Sequence, residues 1–473
     1  MTHPPALPSG FTIELDPTVR RLDGGAALLG GSPPTLLRLA PRARTLLRAG
    51  RLSVVDAATA RLARTLLDAG VAHPRPRPGT GAAGVTVVVP VRDNPIGLSR
   101  LLRALQADAD CAEVVVVDDA SVAPVRVPAG VRLVRHPSPR GPAAARNRGL
   151  AEVSTPCVAF LDSDTAPEPG WLIPLLGHLQ DPAVALVAPR IVADPMLGSG
   201  WVARYERVRS SLDLGHREAR VLPRARVAYV PSAALLVRVD ALRGLPGWPG
   251  FDESMPVAED VDLCWRLHAQ GWRVRYEPRS TVAHTHRTRT GPWLRRKAFY
   301  GTGAAALAQR HPGQVPPVAV AGWSLLACAA AATAGGPGLL VAAGVSAAAT
   351  ARLAQRLPGL RHPRWTALRL GFRGLAGAGW QLSAAAWRHW WPAAALVAAS
   401  SPRARRTLLV VGVLEGLADW ATHRRVDGWA GSGGPGPVVH LLCKRADDLA
   451  YGAGLWAGAW RHRSVAALRP RLG

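Results

Sequence analysis

The chain has 473 residues, enough for two to four domains at roughly 100–200 residues each, with an ample core. Its formal net charge is +26, but only Lys297 and Lys444 are lysines, and the wealth of Arg, Ala, Gly and Pro marks a GC-rich coding bias; basicity alone therefore fits a solvated surface as well as it fits nucleic acid, anionic lipid or a phosphorylated substrate. The five cysteines (Cys111, Cys157, Cys264, Cys328, Cys443) are odd in number and lack a CxxC pair, which suggests neither a disulfide framework nor a zinc site, and residues 1–10 carry prolines and no apolar run of the signal-peptide kind.

The first 80 residues read as a small unit. FTIEL alternates like a strand, a second strand-like stretch covers 19–22, Gly24-Gly25 signals a turn, and TLLRLA is a further strand candidate. A helix is predicted over 41–49, stopped at Gly50. Another follows Asp56, its Leu62, Leu66 and Leu67 on one face, ending at Gly70. HPRPRPGTGAAG (73–84) has the composition of a linker.

Residues 81–312 alternate strands and helices. VTVVV (85–89), EVVVVDD (113–119), VRLV (131–134), CVAFLD (157–162) and VALVAP (184–189) read as strands, the apolar ones buried on both faces. Helices are predicted over 96–106, 142–150 and 170–180. This order predicts an α/β domain with a mostly parallel sheet, whose ligands bind beyond the carboxyl ends of the strands. Cys157 and Cys264 lie in apolar patterns and are expected in the core, which favours a reducing, cytoplasmic setting.

Residues 313–473 change character. VAVAGWSLLACAAAATAGG and PGLLVAAGVSAAATA are nearly uncharged and flanked by Arg310, Arg352, Arg356 and Arg361. Each approaches the length of about 20 residues that a membrane helix needs. A membrane hairpin with cytoplasmic arginines and a pair of buried or interfacial helices both fit. TLLVVGVLEGLADWA (407–421) is shorter and holds Glu415. No internal repeat is present.

Six stretches carry chemistry. Asp162 and Asp164 follow the CVAFL strand at i and i+2, where both carboxylates reach one hard divalent cation, Mg²⁺ or Mn²⁺, of the kind that stabilises a departing diphosphate. VVVPVRDN ends the first strand with Arg92, Asp93 and Asn94, and VVVVDDAS ends the second with Asp118 and Asp119, acids suited to a uracil ring or a ribose hydroxyl. GPAAARNRGL offers Arg146 and Arg148 to carbonyl or phosphate oxygens. In AEDVDLCWRLHAQG, Glu259 and Asp260 open a helix that Gly271 stops. Helix capping explains them, and so does a catalytic role with Asp260 as general base and Glu259 beside it. Finally VAHTHR places His284 or His286 as a third metal ligand or a diphosphate contact, with His284 nearer the strand.

Together VPVRDN, VVVVDDAS, AARNRG, FLDSDT and AEDVDLCWRLHAQGW resemble the GT-A-type, family-2 glycosyltransferases over residues 85 to about 310. The resemblance implies an inverting direct displacement with Asp260 as base. It further implies Asp162 and Asp164 around a metal-diphosphate, Asp93 and Asp119 near the uridine, Arg146 on base or phosphate, and a UDP-sugar donor. A QxxRW motif of processive polymerases is replaced by PWLRRKAFYGTGAA, which argues against long-chain synthesis. The N-terminal GFTIELDPTVRRLDGGAALLGGSPPTLLRLA is similar to small winged-helix peptide-recognition domains, and with RRKAFYGTGAAALAQRHP it resembles the glycosyltransferases of mycofactocin systems. That likeness implies glucose, or another hexose, moved in β linkage to a peptide-derived redox cofactor or its precursor. It also implies membrane lipid as a partner and a catalytic domain at the cytoplasmic face of the cell membrane.

The fold expected is thus α/β: a GT-A-type, Rossmann-like catalytic domain (81–312), a small winged-helix-like domain (1–80) and a helical, membrane-associated C-terminal region (313–473). The rival acceptor is a lipid-linked or cell-envelope glycan. A nucleic-acid-binding role fits poorly, because arginine is spread over the whole chain and aromatics are few.

Overall fold

In the N-terminal stretch short strands alternate with two helices: Thr12–Leu15 (β1), Arg20–Leu22 (β2), Ala27–Gly30 (β3), Thr35–Arg38 (β4), Pro41–Leu46 (α1), Arg51–Ser53 (β5), Ala57–Asp68 (α2) and Ala72–Pro74 (β6). The structure is a computed structural model that describes residues 6–79, 84–108, 113–196, 198–247, 250–332, 336–426 and 434–473; Cys111 and part of the expected linker lie outside them. The strands form two antiparallel sheets, β5-β1-β6 and β2-β3-β4. Phe11, Ile13, Leu28, Leu52, Leu66 and Val71 fill the core between them and α2. Asp56 caps α2 as expected: its carboxylate accepts from the Thr59 amide at 2.7 Å, and Thr59 Oγ1 accepts in return from the Asp56 amide at 3.0 Å. Three-residue strands such as β5 and β6 are too short to show periodicity. The expected linker therefore begins as a strand, and Pro74 is tolerated there because β6 is a sheet edge.

The chain forms two compact units, residues 1–197 with 209–286, and residues 198–208 with 287–473. In the first unit the N-terminal sheets are tied to the strands that follow. Arg64 donates to both oxygens of Asp181 at 2.6 and 2.7 Å, and Arg273 to both of Asp68 at 2.7 and 2.6 Å. Arg75 bridges Glu14 and Glu218.

The large sheet uses Val85–Val91 (β7), Glu113–Asp118 (β8), Val131–Arg135 (β9), Cys157–Leu161 (β10), Thr165–Pro167 (β11), Val184–Ala193 (β12), Ala219–Val221 (β13), Ala234–Arg238 (β14) and Arg273–His284 (β15). Its order is β11-β15-β12-β14-β10-β7-β8-β9, and β13 also pairs with β15. Strands β10, β7, β8 and β9 are parallel, as the alternating pattern predicts. The expectation of a mostly parallel sheet is corrected at β14, which runs antiparallel between β10 and β12. The helices are Pro95–Ala107 (α3), Pro142–Ala151 (α4), Leu172–His178 (α5), Trp201–Arg209 (α6, mostly in the second unit), Val239–Arg243 (α7) and Glu259–Ala269 (α8). Because β7, β8 and β10 are parallel, residues 92–94, 118–121 and 162–164 emerge along one rim. Cys157 and Cys264 are buried, as expected.

The second unit is helical: α6, then Thr290–Arg310 (α9), Gly322–Ala332 (α10), Gly336–Gln355 (α11), Pro363–Arg388 (α12), Trp391–Ser400 (α13), Pro402–Val426 (α14) and Pro437–Arg461 (α15), with the short strands Ala319–Val320 (β16) and Arg471–Leu472 (β17) paired in parallel. Helices α9 and α15 approach so closely that a Cβ on Gly454 would lie 1.7 Å from the Ala298 carbonyl oxygen. Both lysines of the chain are buried here: Lys297 Nζ lies 2.8 Å from Glu206, and Lys444 Nζ 2.8 Å from Glu415. Of the two predicted membrane helices, α10 has 11 residues. Helix α11 has 20 residues, a mean hydropathy of 1.3 and no buried position in its most apolar window, so by length and composition it can cross a bilayer.

Candidate active site

The site is built on helix α4. Ala143, Ala144 and Ala145 are buried, and a Cβ on Gly149 would lie 2.2 Å from Val88 Cγ1. The run of small residues in GPAAARNRGL thus lets α4 lie flat on the sheet. This seats Arg146 in the interior, with its guanidinium 5.2 Å from the Phe251 ring. Arg146 donates to Asp162 at 2.5 Å and to Glu259 at 3.0 Å. One buried cation therefore joins the acid behind the CVAFL strand to the acid that opens α8. Burial works against its charge, but the carboxylates of Asp162 and Glu259 outweigh that and raise its pKa further. The next residue, Asn147, donates to the Phe251 carbonyl at 2.8 Å and accepts from the Phe251 amide at 2.9 Å, which fixes the approach to α8.

The residue before Glu259 and Asp260, Ala258, has φ +66° and makes no side-chain cap, and it is Asp260 that takes up an amide of the first turn of α8. Glu259 also accepts from Ser232 Oγ at 3.3 Å. Asp260 is half-buried and accepts from the Ser232 amide at 3.2 Å and its neighbour Val261's amide at 2.8 Å. Burial and then the Glu259 charge push the Asp260 carboxyl up to about 7, against the opposing pull of those two amides and of Arg146. Asp93 (φ +53°) and Ala120 (φ +56°) share the left-handed conformation of Ala258. Three such non-glycine residues at the ends of β7 and β8 and the start of α8 are conformational strain gathered at one place, as functional sites often hold it.

The acid pair after β10 is pinned from several sides. The Asp162 carbonyl accepts from Thr165 Oγ1 at 2.7 Å, and the Thr285 amide donates to the Asp164 carbonyl at 2.9 Å. Asn94 donates to Ser163 Oγ at 3.1 Å while capping α3 through the Gly97 amide. Across from it, His284 Nε2 lies 3.3 Å from Asp164 Oδ1, and His286 Nδ1 lies 2.9 Å from His284 Nδ1. Adjacent ligand atoms around an octahedral Mg²⁺ or Mn²⁺, about 2.1 Å from the ion, stand roughly 3 Å apart. Asp164 and His284 meet that spacing, and their donor chemistry fits a divalent metal. Asp162 faces Arg146 instead, and Asp162, Asp164 and His284 do not converge as a close set of three among the described residues.

The acids after β7 and β8 divide into two kinds. Asp93 is exposed, and its carboxylate accepts from the Val122 amide at 2.8 Å, stapling the two strand ends together. Asp118 is fully buried: it accepts from the Ser121 amide at 2.9 Å and pairs with Arg135. Burial pushes its carboxyl up, but the Ser121 hydrogen bonds and the Arg135 charge prevail and hold it below the usual range. Asp118 is thus turned inward, one oxygen toward the Ser121 amide and the other toward Arg135. Asp119 accepts from His136 and from the Arg140 and Gly141 amides, all at 2.8 Å, and so holds the turn from which α4 starts. Ser232 and His136 lie outside the motifs, and only the fold brings them here; Asn147 lies inside AARNRG, where only its arginine neighbours stood out.

Residues 86–243 match the family model "Glycosyl transferase family 2". Across 473 aligned residues the sequence is 49% identical to the pre-mycofactocin glycosyltransferase of Mycobacterium tuberculosis, covering 98% of each chain. The chain belongs to the family-2 glycosyltransferases. This glycosyltransferase is also 29% identical over 208 residues to the succinoglycan biosynthesis protein ExoU of Rhizobium meliloti, a match spanning 40% of its own length and 58% of the relative's. Among solved structures it is similar to a mannosyltransferase of Pyrobaculum calidifontis, with 21% identity, 63% of this chain and 86% of that one covered, and a TM-score of 0.36. The matched region of the glycosyltransferase holds Asp93, Asp118, Asp119, Arg146, Asp162 and Asp164, and α8 lies beyond it.

Proposed function

We propose that the enzyme transfers a hexose, glucose foremost, from a UDP-sugar to pre-mycofactocin, a peptide-derived acceptor, by inverting displacement with a divalent metal. The observation that carries the reading is the Asp162–Arg146–Glu259 bridge with Asp260 beside it, in a chain 49% identical from end to end to a pre-mycofactocin glycosyltransferase. Asp260 takes the proton of the acceptor hydroxyl as that oxygen bonds the anomeric carbon, and the bond from that carbon to the diphosphate breaks. Glu259 and Ser232 hold Asp260 and its helix start in place. Asp164 and His284, with Asp162 alongside, would hold Mg²⁺ or Mn²⁺, which supplies positive charge to the departing diphosphate. Asp93, exposed at the rim, is the acid for uracil or ribose, and Asp119 shapes the turn beneath it.

The N-terminal unit is proposed to take the peptide portion of the acceptor. It holds a cavity of about 280 Å³ with Leu28 and Leu47 on its floor and Arg21, Arg44 and Arg48 around it, suited to an acidic peptide. The C-terminal helices are proposed to keep the enzyme at the cytoplasmic membrane face, a reading that α11 supports. The test is incubation of the purified enzyme with UDP-glucose and pre-mycofactocin, followed by mass spectrometry. Products heavier by one or more hexoses are expected. Donor hydrolysis without transfer, or equal transfer to an envelope glycan alone, would replace the proposed acceptor.

A further inference from the structure

We propose a second metal site, of the zinc class, formed by Asp419 and His423 on α14 and His440 on α15. Asp419 and His423 are four residues apart on one helix and so share a face. His440 reaches them from the neighbouring helix. Asp419 and His440 are buried and His423 is half-buried. His440 Nε2 lies 2.8 Å from Asp419 Oδ2, and His423 Nδ1 lies 3.6 Å from the same oxygen. One ligand atom from each of the three falls within 4.8 Å of the others, the only such group of three among the described residues. A tetrahedral zinc with ligands at about 2.0–2.1 Å holds those atoms roughly 3.3 Å apart, so small side-chain rotations close the set.

A hydrogen-bonded Asp419–His440 pair would account for two of these residues. The second imidazole, its ring 6.1 Å from that of His440, bonds through Nδ1 to the Asp419 carbonyl at 2.8 Å, and a metal would take it over from that bond to complete the set. Two imidazoles and one carboxylate match a borderline-soft divalent ion far better than the all-oxygen preference of Mg²⁺. Nearby charge does not compete: Glu415, one turn before Asp419, is matched by Lys444 and Arg445. The cysteines play no part, which is why their spacing gave no hint of zinc. Bound there, the ion would clamp α14 to α15.

The test uses the full chain, solubilised in detergent, carrying no histidine tag, and dialysed against EDTA before one addition of zinc and removal of the excess. Elemental analysis is expected to find about one tightly held zinc per chain, and cobalt substitution to give the visible absorption of a tetrahedral site. His423→Ala, at the least buried ligand, should lose the zinc and the cobalt band while staying folded by circular dichroism. Asp164→Asn should keep both, which separates this site from the transfer site. Less than about a tenth of a zinc per chain, or undiminished zinc in His423→Ala, overturns the proposal, whatever the outcome for sugar transfer.

Discussion

Arg146 is one positive charge facing Asp162, Glu259 and Asp260, and that imbalance has two consequences. First, the surplus of acid would favour a divalent cation at Asp162 and Asp164, as the proposed function requires. Asp164→Asn removes the carboxylate nearest His284, so transfer should fall by at least about 100-fold and metal should bind more weakly in titration; EDTA should stop the wild type. Second, Asp260 resists ionisation. A base is useful only when charged, so kcat/KM should climb as pH rises through about 7 and level off above it. Asp260→Asn should cut turnover by roughly 10²–10⁴-fold and abolish that limb, while UDP binding by calorimetry persists. Normal turnover in this variant would remove Asp260 from the mechanism. Stability carries the opposite sign. Below about 7 the folded carboxyl keeps a proton that the unfolded chain loses above the ordinary range near 3.8, so this group's contribution declines as pH rises between the two. The acids themselves were legible in the sequence, because acid at a strand end or helix start is a local pattern. Their partners were not: Ser232 reaches Asp260 from 28 positions away, and nothing local in PSAALL announces it.

Elements were legible where they were long and periodic, as in α2, α3 and the parallel strands. Strand β14 escaped because ALLVR is a short apolar run with no turn signal to mark its direction, yet it sits at the centre of the sheet, antiparallel to both its neighbours. Its neighbours β10 and β12 are each readable alone, but only the fold says that they do not touch. Helix α15 shows the same division. PVVHLLCKRADDLAYGAGLWAGAWR fell only within the region 313–473 expected to be helical, and its partner is set by contacts that a sequence does not display. Gly454 and Gly458 let it meet α9 with backbone against backbone: a Cβ on Gly458 would come within 2.4 Å of the Thr302 carbonyl oxygen. Gly454→Ala should therefore force the helices apart and cost more than the usual ~1–3 kcal/mol of overpacking, because a rigid carbonyl stands in the way. A lower thermal midpoint, with far-UV helicity kept below it, is the expected signature. An unchanged midpoint would mean that α9 and α15 do not pack this closely.

At the scale of the whole molecule two forces could bring the enzyme to a membrane, and they respond differently to salt. The net charge of +26 attracts anionic lipid through interactions that fade beyond about 10 Å at 0.1 M salt and weaken further above it. The apolar helix α11 acts by transfer from water, which salt does not weaken. Its Leu339, Leu340 and Val341 are 60, 75 and 51% exposed, and Trp365, Leu368 and Phe372 on α12 are exposed as well, an arrangement that water disfavours and lipid accepts. The enzyme should thus stay with the membrane fraction after a 1 M salt wash and leave it only in detergent. Replacing Leu339, Leu340 and Val341 together by Asp should raise the cost of burying α11 in lipid, since each added acid opposes insertion. That variant should appear in the soluble fraction with its transfer activity toward a dissolved acceptor retained, because none of the three residues belongs to the unit that holds Asp162 and Asp260. Release of the wild type by salt alone would assign membrane attachment to the arginines and leave α11 as a helix that seeks a protein partner.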